Sequence, residues 1–133
     1  MNVLFVCVQN AGRSQMAEAI FQRVAGNRHD TRSAGSDPAE QMNPRVVEAM
    51  EELGIDLSGR IPRRLERPDA EWADVVVTMG CGDACPVVPG KRYIDWELDD
   101  PAGKGLDEIR AIRDEIAARV ERLLSELVEA EAG

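Results

Sequence analysis

Val3-Leu4-Phe5-Val6-Cys7-Val8-Gln9-Asn10-Ala11-Gly12-Arg13-Ser14 is the stretch on which the fold turns. Its first four residues form a short, continuously apolar run, the pattern of a strand buried on both faces. Cys7 to Arg13 is polar and contains a glycine, as a loop requires. From Ser14 the period changes to that of a helix, with Ala17, Ile20, Phe21, Val24 and Ala25 on one stripe and Gly26 as a stop.

Further along, Thr31 to Gly35 reads as a second strand. Asn43-Pro44 opens another helix, with Asn as N-cap and Pro in the first turn, where its missing N–H costs nothing. Val46, Val47, Met50 and Leu53 supply that helix's apolar face, and Gly54 suits a left-handed stop. Asp74 to Thr78, with three adjacent valines, is a third strand, and Arg92 to Trp96 a fourth. Met79 to Gly90 reads as loop or broken helix. A long amphipathic helix closes the chain, marked by Leu106, Ile109, Ile112, Ile116, Val120, Leu123 and Leu127. Strands alternating with helices predict an α/β fold: a three-layer sandwich in which a four-stranded parallel sheet carries helices on both faces. The whole chain, residues 1–133, reads as one domain.

Composition narrows the function. Twenty-five acidic against 16 basic side chains give a formal net charge of −9, which argues against non-specific binding to nucleic acid or an anionic membrane. No apolar run approaches a membrane span. The N-terminus lacks the basic region and cleavage site of a secretory signal. Three cysteines, Cys7, Cys81 and Cys85, are too few for a disulfide scaffold and suit a reducing cytoplasm.

Sheets of this kind bind ligands beyond the carboxyl ends of their strands. Cys7 and Cys81 both lie just past such ends, so neighbouring first and third strands would let the two thiols meet. In the loop, the backbone N–H groups of Val8, Gln9, Asn10, Ala11, Gly12, Arg13 and Ser14 can turn inward as a nest for a tetrahedral oxyanion. The helix that follows adds its positive end. Arg13 supplies a planar fork that pairs two oxygens at once. Ser14 can donate to the Cys7 sulfur, and Asn10 can brace the loop. This positive setting favours the nucleophilic thiolate. At physiological salt the distant carboxylates are screened over about 8 Å, while the loop acts at contact.

Cys7 to Ser14, continued by Gln15-Met16-Ala17-Glu18-Ala19, resembles the anion loop and first helix of arsenate reductases built on the low-molecular-weight protein tyrosine phosphatase fold. The resemblance continues at Met79-Gly80-Cys81-Gly82-Asp83-Ala84-Cys85-Pro86 and from Asp95-Trp96 to Asp100-Pro101, so it spans nearly the whole chain. It implies reduction of arsenate to arsenite: Cys7 attacks arsenic, Cys81 attacks Cys7 to leave a disulfide, and Cys85 passes that disulfide to thioredoxin. Two thiols supply the two electrons, whereas a phosphatase cycle needs neither Cys81 nor Cys85. Only three residues separate those two cysteines, a departure in spacing from the best-known members that the resemblance points to. A glycine-rich loop brings their α-carbons within the ~4.4–6.8 Å a disulfide demands; a rigid helix there would favour a small thiol such as mycothiol, with mycoredoxin, as reductant.

The resemblance assigns the general acid to Asp100, before Pro101, with Asp99 as its competitor. It also implies a potassium ion near Asn10, Glu18 and Ser33, although Glu18 fits an exposed helix position equally well. Where the phosphatases carry aromatic residues after Asp-Pro, this chain has Ala102-Gly103, which favours a small inorganic anion over phosphotyrosine. Trp72, Tyr93 and Trp96 read as core or rim residues, and Phe21 as core. Two other functions stay open: a tyrosine phosphatase, and a zinc- or arsenite-binding module using the three thiols with His29 as the remaining ligand. His29 reads as a surface turn residue, and the basic cluster Arg60, Arg63, Arg64 and Arg67 as a solvated loop.

Overall fold

In the chain's computed structural model, which describes residues 1–80 and 89–132, the apolar run becomes strand β1, Asn2–Cys7. It lies in the middle of the sheet. Strand β2, Asp30–Gly35, pairs with it on one side and β3, Val75–Met79, on the other. Strand β4, Arg92–Asp95, completes the order β2-β1-β3-β4, with every pairing parallel. A central parallel strand meets protein on both faces, which is why β1 has no polar alternation. The register sets Cys7 opposite Met79 and Gly35, so the carboxyl ends of three strands converge where the Cys7–Ser14 loop begins.

The pleat divides β1 between two cores. Val3, Phe5 and Cys7 join the larger one, built with helices α1, Arg13–Ala25, α2, Pro44–Glu51, and α4, Leu106–Ala132. Ile109, Ile112, Ile116, Val120, Leu123 and Leu127 of α4 are all buried there, as their spacing predicts. Leu4 and Val6 face the other way, with Ala73 and Val76, beneath Leu65, Trp72 and Tyr93. Helix α3, Arg67–Trp72, lies on that thinner side. Helices therefore occupy both faces of the four-stranded sheet, as predicted. Asn43 caps α2 by accepting from the Arg45 N–H at 3.0 Å, and Gly54 adopts φ +75° as its stop.

Several expectations need correction. Helix α3 has no counterpart in the sequence reading; Asp69 holds its start by accepting from the Glu66 N–H at 3.0 Å. Val24, placed on the apolar stripe of α1, is exposed, and so is Leu53, because α2 ends at Glu51 and Leu53 lies in the turn beyond it. His29 is buried rather than on the surface, with Nδ1 3.2 Å from the Met1 amino nitrogen. Among the described residues no helix is long and apolar enough to cross a membrane.

Helices α2 and α4 are tied by an ion-pair cluster. Glu52 accepts from Arg110 at 2.6 Å and from Arg113 at 2.7 Å, and Arg113 also donates to the Ala49 carbonyl at 2.8 Å. Hydrogen bonds from Arg110 and then Arg113 draw the Glu52 carboxyl from its ordinary 4.5 down to about 2. A lowered native pKa stabilises the fold above about 4.5, and that contribution is lost as the pH falls through about 2. The urea midpoint is therefore expected to drop between pH 5 and pH 2.5, and to drop less in Glu52→Gln. Solvent screening keeps the effect small, and equal slopes for the two proteins would refute it.

Candidate active site

Cys7 is the last residue of β1 and is buried, at the point where the strand gives way to the loop. The loop's shape follows from where its carbonyls go. Cys7, Val8, Gln9 and Ala11 each turn a C=O outward, accepting from the N–H groups of Ser36, Asp37, Ala39 and Asn43 at 2.8–3.1 Å. In a trans peptide the N–H points opposite the C=O. The amides of Val8, Gln9, Asn10 and Gly12 are thereby turned away from this strap, towards the loop's interior. The Asn10 N–H reaches the Cys7 sulfur itself at 3.3 Å. The Gly12 carbonyl accepts from Met16, which starts α1 and directs the helix's positive end at the same interior.

Close packing holds the loop in place. Asn10 sits at φ +52°, a left-handed conformation that Asn tolerates better than most residues. A Cβ on Gly35 would lie 2.5 Å from the Val8 carbonyl oxygen and 3.0 Å from the Asn10 nitrogen. Gly35→Ala must therefore push the loop off the strap. The expected cost is about 1–3 kcal/mol of stability in urea titration, accompanied by lost oxyanion affinity. Unchanged affinity for phosphate, measured by calorimetry, would contradict this account of the loop.

Side chains complete the geometry. Ser14 Oγ lies 2.9 Å from Cys7 Sγ, and Asn10 donates to Ser14 Oγ at 2.7 Å. Arg13, buried, donates to the Leu98 carbonyl at 3.4 Å and stands 3.8 Å from the Asp100 carboxylate. Gly80, at φ +90°, gives the guanidinium room: a Cβ there would lie 2.7 Å from Arg13 Nη1. Cys7, Gln9, Ala11, Gly12, Arg13, Asn43, Asp100, Pro101 and Ala102 line a single narrow recess. Asp100, not Asp99, therefore shares the recess with Cys7; Asp99 lines a different cavity with Glu97 and Lys104. Pro101 closes the recess from above, so near Gly12 that a Cβ there would meet Pro101 Cγ at 2.6 Å. Trp96 and Phe21 are buried in the core beside Phe5, and neither lines the recess. Cys81 and Cys85 lie outside the described residues.

The chain matches the low molecular weight phosphotyrosine protein phosphatase family over residues 2–132. It belongs to that family. Within it, the chain is 40% identical over 124 residues to an arsenate reductase of Brevibacillus brevis, covering 90% of this chain and 91% of that one. A thioredoxin-dependent arsenate reductase structure from Corynebacterium glutamicum superposes with a TM-score of 0.83 at 41% identity, covering 97% of this chain and 62% of that longer one. An arginine phosphatase from Geobacillus stearothermophilus superposes with a TM-score of 0.84 at 25% identity, covering 98% of this chain and 95% of that one.

Other residues bear on the site in ways the sequence reading missed. The strap from Ser36 to Asn43 takes the loop's carbonyls, and Asn43, read as a helix cap, also lines the recess. The basic cluster is not simply solvated. The Arg63 N–H donates to Asn10 Oδ1 at 3.0 Å, and its guanidinium grips Asp69 at 2.6 and 3.1 Å. Burial pushes the Asp69 carboxyl up, but hydrogen bonds from Arg63 and the Glu66 amide, with the charges of Arg63 and Arg32, outweigh it and hold it below the usual range. Arg60 donates to Glu18 at 2.7 Å, and Glu18 is buried rather than exposed. His29 is too far from Cys7 to share a zinc ion with it. His29 precedes β2 at the amino end of the sheet, about five residues of strand, or ~16 Å, from the Cys7 end. Among the described residues no three His, Cys, Asp or Glu side chains form a metal set.

Proposed function

We propose that this chain reduces arsenate to arsenite, with Cys7 as nucleophile and Arg13 and the loop amides as the oxyanion clamp. One observation carries the reading: a buried sulfur that receives an amide and faces a hydroxyl lies beside an arginine, and that arginine packs on Gly80, one peptide bond before Cys81. The Cys7 thiolate attacks As(V), and an oxygen leaves as water after protonation by Asp100. The Cys81 thiolate then attacks Cys7 Sγ. The electron pair of the S–As bond passes to arsenic, leaving As(III) and a Cys7–Cys81 disulfide. Cys85 attacks Cys81, which frees Cys7, and a dithiol of the thioredoxin type reduces the Cys81–Cys85 disulfide. Identity with named arsenate reductases favours this reading over phosphate-ester hydrolysis. So does the pair of thiols that hydrolysis does not need. The reducing steps fit a cytoplasmic setting.

The test uses fully reduced protein and arsenate, with arsenite and disulfides measured by mass spectrometry. Wild type should release one arsenite per chain alone, and many with thioredoxin and its reductase. Cys81→Ser should release none by this route. Arsenite release by Cys81→Ser at the wild-type rate would sink the relay. Aryl phosphate hydrolysis without any arsenite would favour the phosphatase reading. Turnover only with mycothiol and mycoredoxin would assign the small-thiol donor.

A further inference from the structure

We propose that Arg60 is a positioning residue for Cys7, a tethered cation that sets the direction of a hydrogen-bond relay ending at the sulfur. Arg60 Nη1 donates to Gln15 Oε1 at 3.1 Å and to Glu18 Oε1 at 2.7 Å, and Nη2 reaches Gln22 Oε1 at 3.4 Å. These three acceptors follow one stripe of α1, at positions 15, 18 and 22. A guanidinium can only donate. With its oxygen held by Arg60, Gln15 must turn its NH2 to Asn10 Oδ1, at 3.1 Å. Asn10 Oδ1, which also accepts from the Arg63 amide, must then turn its own NH2 to Ser14 Oγ at 2.7 Å. Ser14 accepts there, and its single proton is left for Cys7 Sγ at 2.9 Å. Donor and acceptor roles along Arg60, Gln15, Asn10, Ser14 and Cys7 are thus fixed from the cationic end, and the hydroxyl donates to sulfur, as a thiolate requires.

The same geometry decides the potassium expectation. Asn10 Oδ1 is taken by two N–H donors, Glu18 Oε1 by the guanidinium, and Glu18 Oε2 by the Thr31 hydroxyl at 3.1 Å. Of Asn10, Glu18 and Ser33 only Glu18 carries formal charge, and Arg60 already balances it. A potassium ion beside that guanidinium would meet repulsion, and among the described residues lining this cavity there is no second carboxylate to offset it. The residues present do not fit the ion while Arg60 is in place.

The proposal deepens the reading of Cys7 as nucleophile, and its test does not need arsenate turnover. In Arg60→Met, alkylation of Cys7 by iodoacetamide at pH 7, followed by peptide mass mapping, should slow about tenfold. Arg60→Lys should restore most of the rate. Adding 100 mM KCl should recover part of the Arg60→Met rate and raise its thermal midpoint more than choline chloride does, while leaving wild type unchanged. Gln15→Met, which cuts the relay but keeps the Arg60–Glu18 pair, should slow alkylation with no recovery by potassium. With arsenate, both should lower kcat while KM moves less than threefold. An alkylation rate within twofold of wild type in a folded Arg60→Met or Gln15→Met protein would overturn the proposal. So would a potassium response in wild type equal to that of Arg60→Met. Normal alkylation effects without arsenite release would instead locate the failure in the arsenate reading.

Discussion

Cys7→Ser is expected to abolish arsenite release, by at least about 10⁴-fold, while leaving the fold and oxyanion binding in place. Serine keeps the shape of the side chain at the end of β1, where Cys7 is packed with Val3 and Phe5. It loses the polarisable, strongly nucleophilic sulfur, and its oxygen cannot serve as the electrophilic half of a disulfide. Both the first attack and the electron transfer out of the adduct therefore fail together. The loop amides remain, because the strap from Ser36 to Asn43 holds them by backbone contacts that the substitution does not touch. Calorimetric titration with phosphate should show affinity within a few-fold of wild type. Residual turnover within tenfold of wild type would mean that a different group attacks the substrate.

Arg13→Lys comes second, with kcat/KM expected to fall about 10²–10³-fold, the scale of losing one oriented donor to a developing oxyanion. The charge is kept, so a loss of this size isolates the fork from the cation. Arg13 is fixed by the Leu98 carbonyl at 3.4 Å, the Asp100 carboxylate at 3.8 Å and the close approach of Gly80. A lysine ammonium presents one point of charge and fills none of the guanidinium plane that Gly80 accommodates. A loss below fivefold would show that charge alone suffices and that the planar geometry is incidental.

The parts of the fold that sequence made readable are those in which side chains record their surroundings. β1 carries an unbroken apolar run because it is one of the two inner strands, and α4 repeats its aliphatic residues because one face meets α1 and α2. Cys7, Gly12, Arg13 and Ser14 stood out because a reactive residue, a glycine and a fork lie together on a strand–loop–helix turn. The strap left no such trace. Its contribution is made by N–H groups, which every residue but proline possesses, so Ser36, Asp37 and Ala39 look like ordinary loop and Asn43 shows only its role as a helix cap. Arg60 and Arg63 were hidden for another reason: their partners Glu18 and Asn10 lie 42 and 53 positions earlier, and no periodicity links them. His29 shows the opposite error. A polar neighbourhood in sequence suggested exposure, yet the chain terminus folds over it.

In the proposed clamp the inward amides of the loop would respond to charge and tetrahedral shape, with no means of telling one group-15 element from another. Phosphate should therefore compete with arsenate on nearly even terms, and selectivity must arise after binding, at the step where sulfur displaces oxygen. The same property works in favour of turnover once the electrons have moved. Arsenous acid is uncharged near neutral pH, so under the proposed clamp a cradle suited to a dianion would have almost no hold on the product, and release would need no separate device.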